Sequence, residues 1–534
     1  MARRTTVGAV ALATVAALLP LTPATGASAA PVVESAPAEA AARTATATVR
    51  PEGPLRRSTA TAKQMADLDQ RHRELRERIA STQPGTAAGQ RTLDRPRQVP
   101  QTEAGGEVTA QSLLIRRNNA NTRASAVSNT LGETAAANEG SSVFYTGNTY
   151  ASYSTNDGVT WTGVGLPAGP ADAPNACCDQ DVVRAHNTDR IFSILLYTNA
   201  ALNNGGVRIF VRDNPASAPL CTYYIDPGGA ANDVLPDYPH IGLSANALYL
   251  TVQNQRAGSW IGSQIIRFNL AQMSACTTAT THTLTHVGSV GQRVFTPVEG
   301  AQGSTTMYFG AMENSNSFRI FSWAESSTSV PQTVRTISSS NFSNPDCRGG
   351  TGNFDFIERA TSWTAAGFRM RGALHGSRVT WYWHSAPTGG ITQGHVRAAS
   401  FRTSDLTLVE EPHIWNAGHC FGYPVVSGNV FGDLGISIAA GGAAGGGGAA
   451  AQGYVGVDDT PGNPIAFGTV ILTASGTHNR TDGRYGDYFT VRTNAKCQQT
   501  WVGTNYALSG GNTTSAHVNA RYVEFGSTLD SGCF

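Results

Sequence analysis

The chain has 534 residues, of which 14% are charged, and its formal net charge is +1. So weak a field excludes nucleic acid and membrane surfaces as electrostatic partners. Fifty-eight glycines, with abundant Ser, Thr and Asn, fit an all-β chain full of turns.

At the N-terminus an apolar run, Val7–Leu21, stands behind Arg3-Arg4 and ahead of Ala27-Ser28-Ala29. That order matches a secretory signal peptide over residues 1–29. Thr5-Thr6-Val7 lacks the bulky apolar partner of a twin-arginine signal, which points to the general secretory route. No later run reaches the roughly 18 apolar residues a membrane span needs. The expectation is a secreted, extracellular, monomeric protein.

Residues 30–119 are rich in Ala, Pro, Thr and Arg and poor in aromatics, so they are expected to form a disordered tail or pro-segment. Within them, Ala62–Ile79 carries alternating charges that suit a solvated helix. From 120 to 534 the pattern is short apolar runs split by Gly, Asn and Asp, the mark of a folded domain.

Two strand-like runs, Ser142–Tyr145 and Tyr150–Tyr153, lead into Ser154-Thr155-Asn156-Asp157-Gly158-Val159-Thr160-Trp161. Gly158 allows a positive φ, an Asx side chain caps the turn, and Trp161 covers it. This resembles the aspartate box, Ser-x-Asp-x-Gly-x-x-Trp, of sialidases and related β-propellers, with Asn156 where the box has its Asp. The resemblance implies a propeller fold with Trp161 in a structural role on a blade rim. The sialidase Phe-Arg-Ile-Pro string has its nearest counterpart in Phe318-Arg319-Ile320-Phe321, mid-chain and without the proline. Arg484-Tyr485-Gly486-Asp487-Tyr488 is similar to strings in secreted propellers of soil actinobacteria, a likeness that implies fold and no chemistry.

A repeat supports the same fold. Tyr238-Pro239-His240-Ile241 is echoed by Tyr423-Pro424-Val425-Val426, each followed by a polar turn and a second apolar run. Proline removes a backbone donor and fixes φ, so it is expected to open a strand. Adding Asp179-Gln180-Asp181, Thr296-Pro297-Val298-Glu299, Asn353-Phe354-Asp355 and Tyr485-Gly486-Asp487, the starts fall near 179, 237, 297, 355, 423 and 485. A period near 60 residues predicts a β-propeller of seven blades, with six as the alternative.

Eight cysteines in an oxidising compartment predict disulfides. Cys177 and Cys178 either bridge each other or pair elsewhere. Repeat order suggests Cys221 with Cys276, Cys347 with Cys420 and Cys497 with Cys533. The Gly-rich run Gly441–Gly448 lacks the Lys and following helix of a phosphate cradle, so a flexible loop is expected.

In a propeller the inner strands begin around one mouth of the axis. The repeat therefore nominates a ring: Asp179, Gln180, Asp181, Asp237, Tyr238, His240, Glu299, Asp355, His419, Tyr423, Arg484, Tyr485 and Asp487. Paired carboxylates, with Asp179, Asp237, Asp355 and Glu299 as candidates, would hydrolyse a glycosidic bond. Tyr238, His240, Arg371 and His375 would instead serve an elimination beside a uronate, Tyr or His moving the proton and Arg neutralising the carboxylate. The partner on either reading is an extracellular polysaccharide or glycoconjugate. The alternative is a lectin-like propeller without catalysis, although lectin propellers repeat their ligand residues and these starts differ. No metal-site spacing occurs and no cofactor is expected. Ring carboxylates would suit calcium as oxygen ligands, but spacing does not specify it.

Overall fold

The computed structural model describes residues 43–52, 113–127, 132–199, 201, 203–228, 233–256, 259–286, 295–341, 345–357, 370–460, 464–481, 483, 485, 488–510 and 517–533. Almost every regular element is a strand, and antiparallel sheets in chain order make seven blades. Blade 1 holds Ala135–Glu139, Ser142–Thr146, Ala151–Ser154 and Thr162–Val164; blade 2 holds Asn175–Ala185, Arg190–Thr198, Gly205–Arg212 and Cys221–Ile225. Blade 3 runs from Leu235–Leu243 to Ala279–His286, and blade 4 from Thr306–Asn314 to Gln332–Thr336. Blade 5 begins at Arg371–His375, blade 6 at Cys420–Gly428 and blade 7 at Thr490–Thr493. In blade 4 the innermost strand shrinks to a short segment, with Pro297 bridging Phe309 and Glu299 bridging Ala373 of blade 5.

Both N-terminal strands sit on outer edges. Leu113–Ala120 pairs with His517–Ser527, so the front of the domain supplies the outermost strand of the last blade and closes the ring. Arg43–Val49, in the stretch expected to be a tail, adds a fifth strand to blade 3 against Ala279–His286. Glu52 then reaches blade 2, where Arg208 donates Nε to Oε2 at 2.7 Å and Nη2 to Oε1 at 3.0 Å. An open ladder on a sheet edge supplies this Thr/Ala run with its backbone partners.

The turn over 154–161 lies at the ring seam. Asn156 caps it, its Oδ1 accepting from Thr160 N at 2.9 Å. Trp161 Nε1 donates to Ala120 O at 3.1 Å, and Asn119 Nδ2 donates to Asp157 O at 2.8 Å, so the turn grips the closing strand. Asp157 also faces Lys496 Nζ at 2.8 Å, and that ammonium binds Glu524 Oε1 at 2.9 Å.

The Tyr-Pro dipeptide does not open a strand. In blade 3 the inner strand starts at Leu235, and its pairing jumps from Asp237 to His240, leaving Tyr238-Pro239 in a β-bulge. Blade 6 repeats this, with pairing passing from Gly422 to Val425 around Tyr423-Pro424. A bulge needs no ladder donor at that point, which is why proline is accommodated inside the strand. Tyr238 and Tyr423 take φ of 55° and 53°, and Asp179 in the inner strand of blade 2 takes 48° at a bulge of its own. Three inner strands therefore turn through the left-handed region that non-glycine residues seldom enter.

Asp355 does not begin a blade. It belongs to a two-stranded ribbon, Arg348–Gly349 with Phe354–Asp355, in the connection from blade 4 to blade 5. The Gly-rich run is docked on that ribbon and not loose: Gly447 N donates to Asn353 Oδ1 at 2.8 Å, and Ala443 N to Arg348 O at 3.0 Å. The three bridges suggested by repeat order form, Cys221–Cys276, Cys347–Cys420 and Cys497–Cys533, and of the two alternatives left open for Cys177 and Cys178 the structure has them bridging each other.

Candidate functional site

The inner strands of blades 2, 3, 4, 5 and 7 send side chains across the axis into one layer. Its centre is Arg492 of blade 7, whose Nη2 lies 2.7 Å from Asp181 Oδ1 of blade 2, while Nε donates to Val182 O at 3.1 Å. Nη1 of the same guanidinium pairs with Glu299 of blade 4. Asp181 Oδ2 faces His240 Nδ1 of blade 3 at 3.5 Å and accepts from Ile241 N at 3.2 Å. His240 Nε2 is buried and finds no hydrogen-bond partner among the described residues.

Aromatic rings enclose that imidazole. Tyr238 stands edge-on to it at 4.5 Å between centroids, and Tyr488 lies tilted at 4.6 Å. The guanidinium of Arg371, from blade 5, sits 5.5 Å from the Tyr238 ring and 5.9 Å from the Tyr488 ring. Such stacking over π-faces stabilises a cation out of water. Asp179 ties three blades, its Oδ2 accepting from Tyr238 N and from Tyr488 Oη, each at 3.2 Å. Gln180 anchors the same strand to blade 1 by donating to Gly147 O and Tyr150 O.

The two carboxylates that share this guanidinium end on opposite sides of their ordinary proton affinities. Burial pushes Asp181 up, but Arg492, His240 and the Ile241 amide outweigh it, and the carboxyl ends below its ordinary value. Burial pushes Glu299 up to about 7, with Arg492 opposing and the charge on Asp181 reinforcing the rise. Burial, aided by the positive charge on Arg371, drives His240 down to about 3. The imidazole is thus neutral in ordinary conditions, held by a carboxylate at Nδ1, with a lone pair at Nε2.

The nominated residues divide. Asp179, Tyr238, His240, Glu299 and Arg371 meet in the layer. Asp237 lies at its rim, half-buried, where Gln253 and Gln255 donate to its Oδ2 at 3.0 and 2.5 Å. Asp355 caps a turn, accepting from Cys347 N at 3.1 Å and Ile357 N at 2.8 Å. His375 ends the inner strand of blade 5 that Arg371 begins, buried against Thr380 Oγ1 at 2.8 Å. Tyr423 and Tyr485 belong to an aromatic core: Tyr423 donates its N–H to His384 Nε2 and its hydroxyl to Phe356 O, and Tyr485 stacks on Tyr506 at 4.7 Å. His419 packs beside Phe421, and Arg484 and Asp487 lie outside the described residues.

Arg492 and Tyr488 were not nominated, although Tyr488, Thr490 and Arg492 alternate and so share the inward face. Among the described residues no group of three or more His, Cys, Asp or Glu side chains is placed to hold a metal ion.

No family model and no curated protein matches the chain. Solved structures similar to it include a mutant of the Aleuria aurantia lectin with Fucα1-6GlcNAc, 14% identical, covering 64% of this chain and 98% of its own, TM-score 0.32. The NanB sialidase of Streptococcus pneumoniae is 11% identical over 78% of this chain and 71% of its own, TM-score 0.36. The Penicillium chrysogenum α-L-arabinanase with arabinobiose is 8% identical over 78% and 97%, TM-score 0.37. The propeller itself is read from the strand pairing above.

Proposed function

We propose that the axial layer is an acid–base site acting on an anionic extracellular glycan, and that it cleaves by elimination beside a uronate carboxylate. The observation that carries this reading is His240, oriented by Asp181 at one nitrogen and bare at the other, next to a tyrosine and a buried arginine. A neutral imidazole in that setting is a general base. It would take the proton α to the carboxylate, a double bond would form to the neighbouring carbon, and the glycosidic C–O bond there would break. Tyr238 would return a proton to the departing oxygen. Arg371 would hold the carboxylate and stabilise the negative charge that develops on it. Because the Tyr238 and Tyr488 rings cover the imidazole, a glycan must displace them to reach it.

A second reading, hydrolysis, draws on the unequal carboxyls, Asp181 ionised and Glu299 able to carry a proton near neutrality. A lectin-like role needs neither. The four disulfides support an oxidising compartment, and export by residues 1–29, outside the described residues, is part of the proposal. No helix among the described residues is long and apolar enough to cross a membrane.

The test is a panel of uronate-containing and neutral polysaccharides incubated with the protein, following new reducing ends and the absorbance of unsaturated uronates together. Both signals rising on acidic polymers is the expected result. Reducing ends alone would install hydrolysis, and binding without either would install the lectin.

A further inference from the structure

The three left-handed bulges at the mouth are made in two ways. Blades 3 and 6 use Tyr238-Pro239 and Tyr423-Pro424, where the missing proline donor makes the bulge permanent. Blade 2 has no proline there. Its inner strand carries the Cys177–Cys178 disulfide directly before Asp179.

Successive side chains of a regular strand point to opposite faces, so two adjacent cysteines can bond only where the pleat breaks. The pairing with Arg190–Thr198 does break on both sides of Cys178, between Ala176 and Cys178 and again between Cys178 and Gln180. The second break throws Asp179 to φ 48° and re-aims its carboxylate across the axis, onto Tyr238 N and Tyr488 Oη. Those two tyrosines are the rings that cover His240. Both cysteines are half-buried, within reach of a small reductant.

We infer that the Cys177–Cys178 bond is a positioning element for the axial site: oxidised, it holds the bulge that places Asp179 over the tyrosines, and reduced, it lets the strand regain its pleat and uncovers His240. In reduction by a dithiol the S–S bond breaks, two cysteine thiols form with the two electrons and two protons supplied, and the dithiol becomes a disulfide. The inference rests on the axial layer being the site, but its test reads geometry and needs no turnover.

The measurement is carbethoxylation of histidines by diethyl pyrocarbonate, mapped by peptide mass spectrometry on folded protein. His375, buried at the other end of an inner strand and bonded to Thr380, serves as the internal control. In the oxidised chain both histidines should be protected. In the Cys177→Ser/Cys178→Ser variant, His240 should react at least tenfold faster while His375 stays protected. Asp179→Asn, with the disulfide intact, should expose His240 in the same way, because the bond acts through that carboxylate. Cys497→Ser/Cys533→Ser should leave His240 protected. Unchanged protection of His240 in either test variant overturns the inference. Equal exposure of His240 and His375, or failure of the double variant to fold, overturns it also, since the bond would then be a staple of the whole domain.

Discussion

Two charge clusters of this propeller differ in what they leave without a partner among the described residues: a guanidinium nitrogen, Arg117 Nε, at the seam, and an imidazole nitrogen on the axis. At the seam between blades 7 and 1, Lys496 sits between Asp157 and Glu524, Tyr522 Oη donates to Glu524 at 2.9 Å, and Arg117 adds a second cation 3.4 Å from Asp157. On the axis, Asp181 and Glu299 share Arg492, Arg371 is set over tyrosine rings, and one imidazole nitrogen is left bare. Satisfied buried networks rigidify a fold, whereas an unpartnered buried group costs stability and marks a place where selection kept something other than stability. On the proposed function the seam is architecture and the axis is where chemistry would sit.

The largest expected effect tests the seam. Trp161 is buried against Tyr145 and Tyr522 and bonds the closing strand. Trp161→Ala should cost about 3–5 kcal/mol in chemical denaturation and leave glycan binding by the folded fraction intact. If the variant melts normally but loses ligand, the two clusters have exchanged roles.

A sharper test divides function from stability on the axis. His240→Gln should lower turnover of whichever polysaccharide the panel identifies by about 10²–10⁴, the usual worth of a general base, with little change in melting temperature near neutral pH. The same substitution should flatten the acid limb of stability. Burial holds folded His240 at about 3 against an ordinary 6.5, so between those values the unfolded chain binds a proton the folded chain refuses. Its contribution is therefore complete above about pH 6.5 and is lost as pH falls towards 3, at about 1.4 kcal/mol per pH unit for one group. His375 behaves alike, so the variant should retain part of the slope. An acid limb identical in both proteins would show that His240 titrates normally and is not enclosed.

The sequence made much of this legible and hid the rest for physical reasons. The Tyr-Pro pairs mark blades because proline tolerates few strand positions, yet they mark bulges and not beginnings. Asp355 falls on the 60-residue step by coincidence, since its ribbon is an insertion. Blade 1 escaped the repeat because its inner strand, Ala-Ala-Ala-Asn-Glu, opens on a run of alanines unlike any of the other starts. Asp181 and Arg492 stand 311 residues apart, and no local pattern tells which inward side chain meets which across an axis.

The smallest effect separates the two carboxylates. Glu299 is raised to about 7 from an ordinary 4.5, so the folded chain holds a proton there that the unfolded chain gives up. Its contribution to stability is present below about pH 4.5 and declines as pH rises towards 7, opposite in sign to His240. Glu299→Gln cannot ionise and should escape that decline. The stability of the variant relative to the native chain should then climb between pH 4.5 and 7, by about 2–3 kcal/mol at about 1.4 kcal/mol per pH unit. Paired urea titrations at several pH values would read it directly. A relative stability that falls over the same window would mean that Arg492 keeps Glu299 ionised, and with that the hydrolytic reading would lose its acid while the elimination reading, which does not use Glu299, would stand.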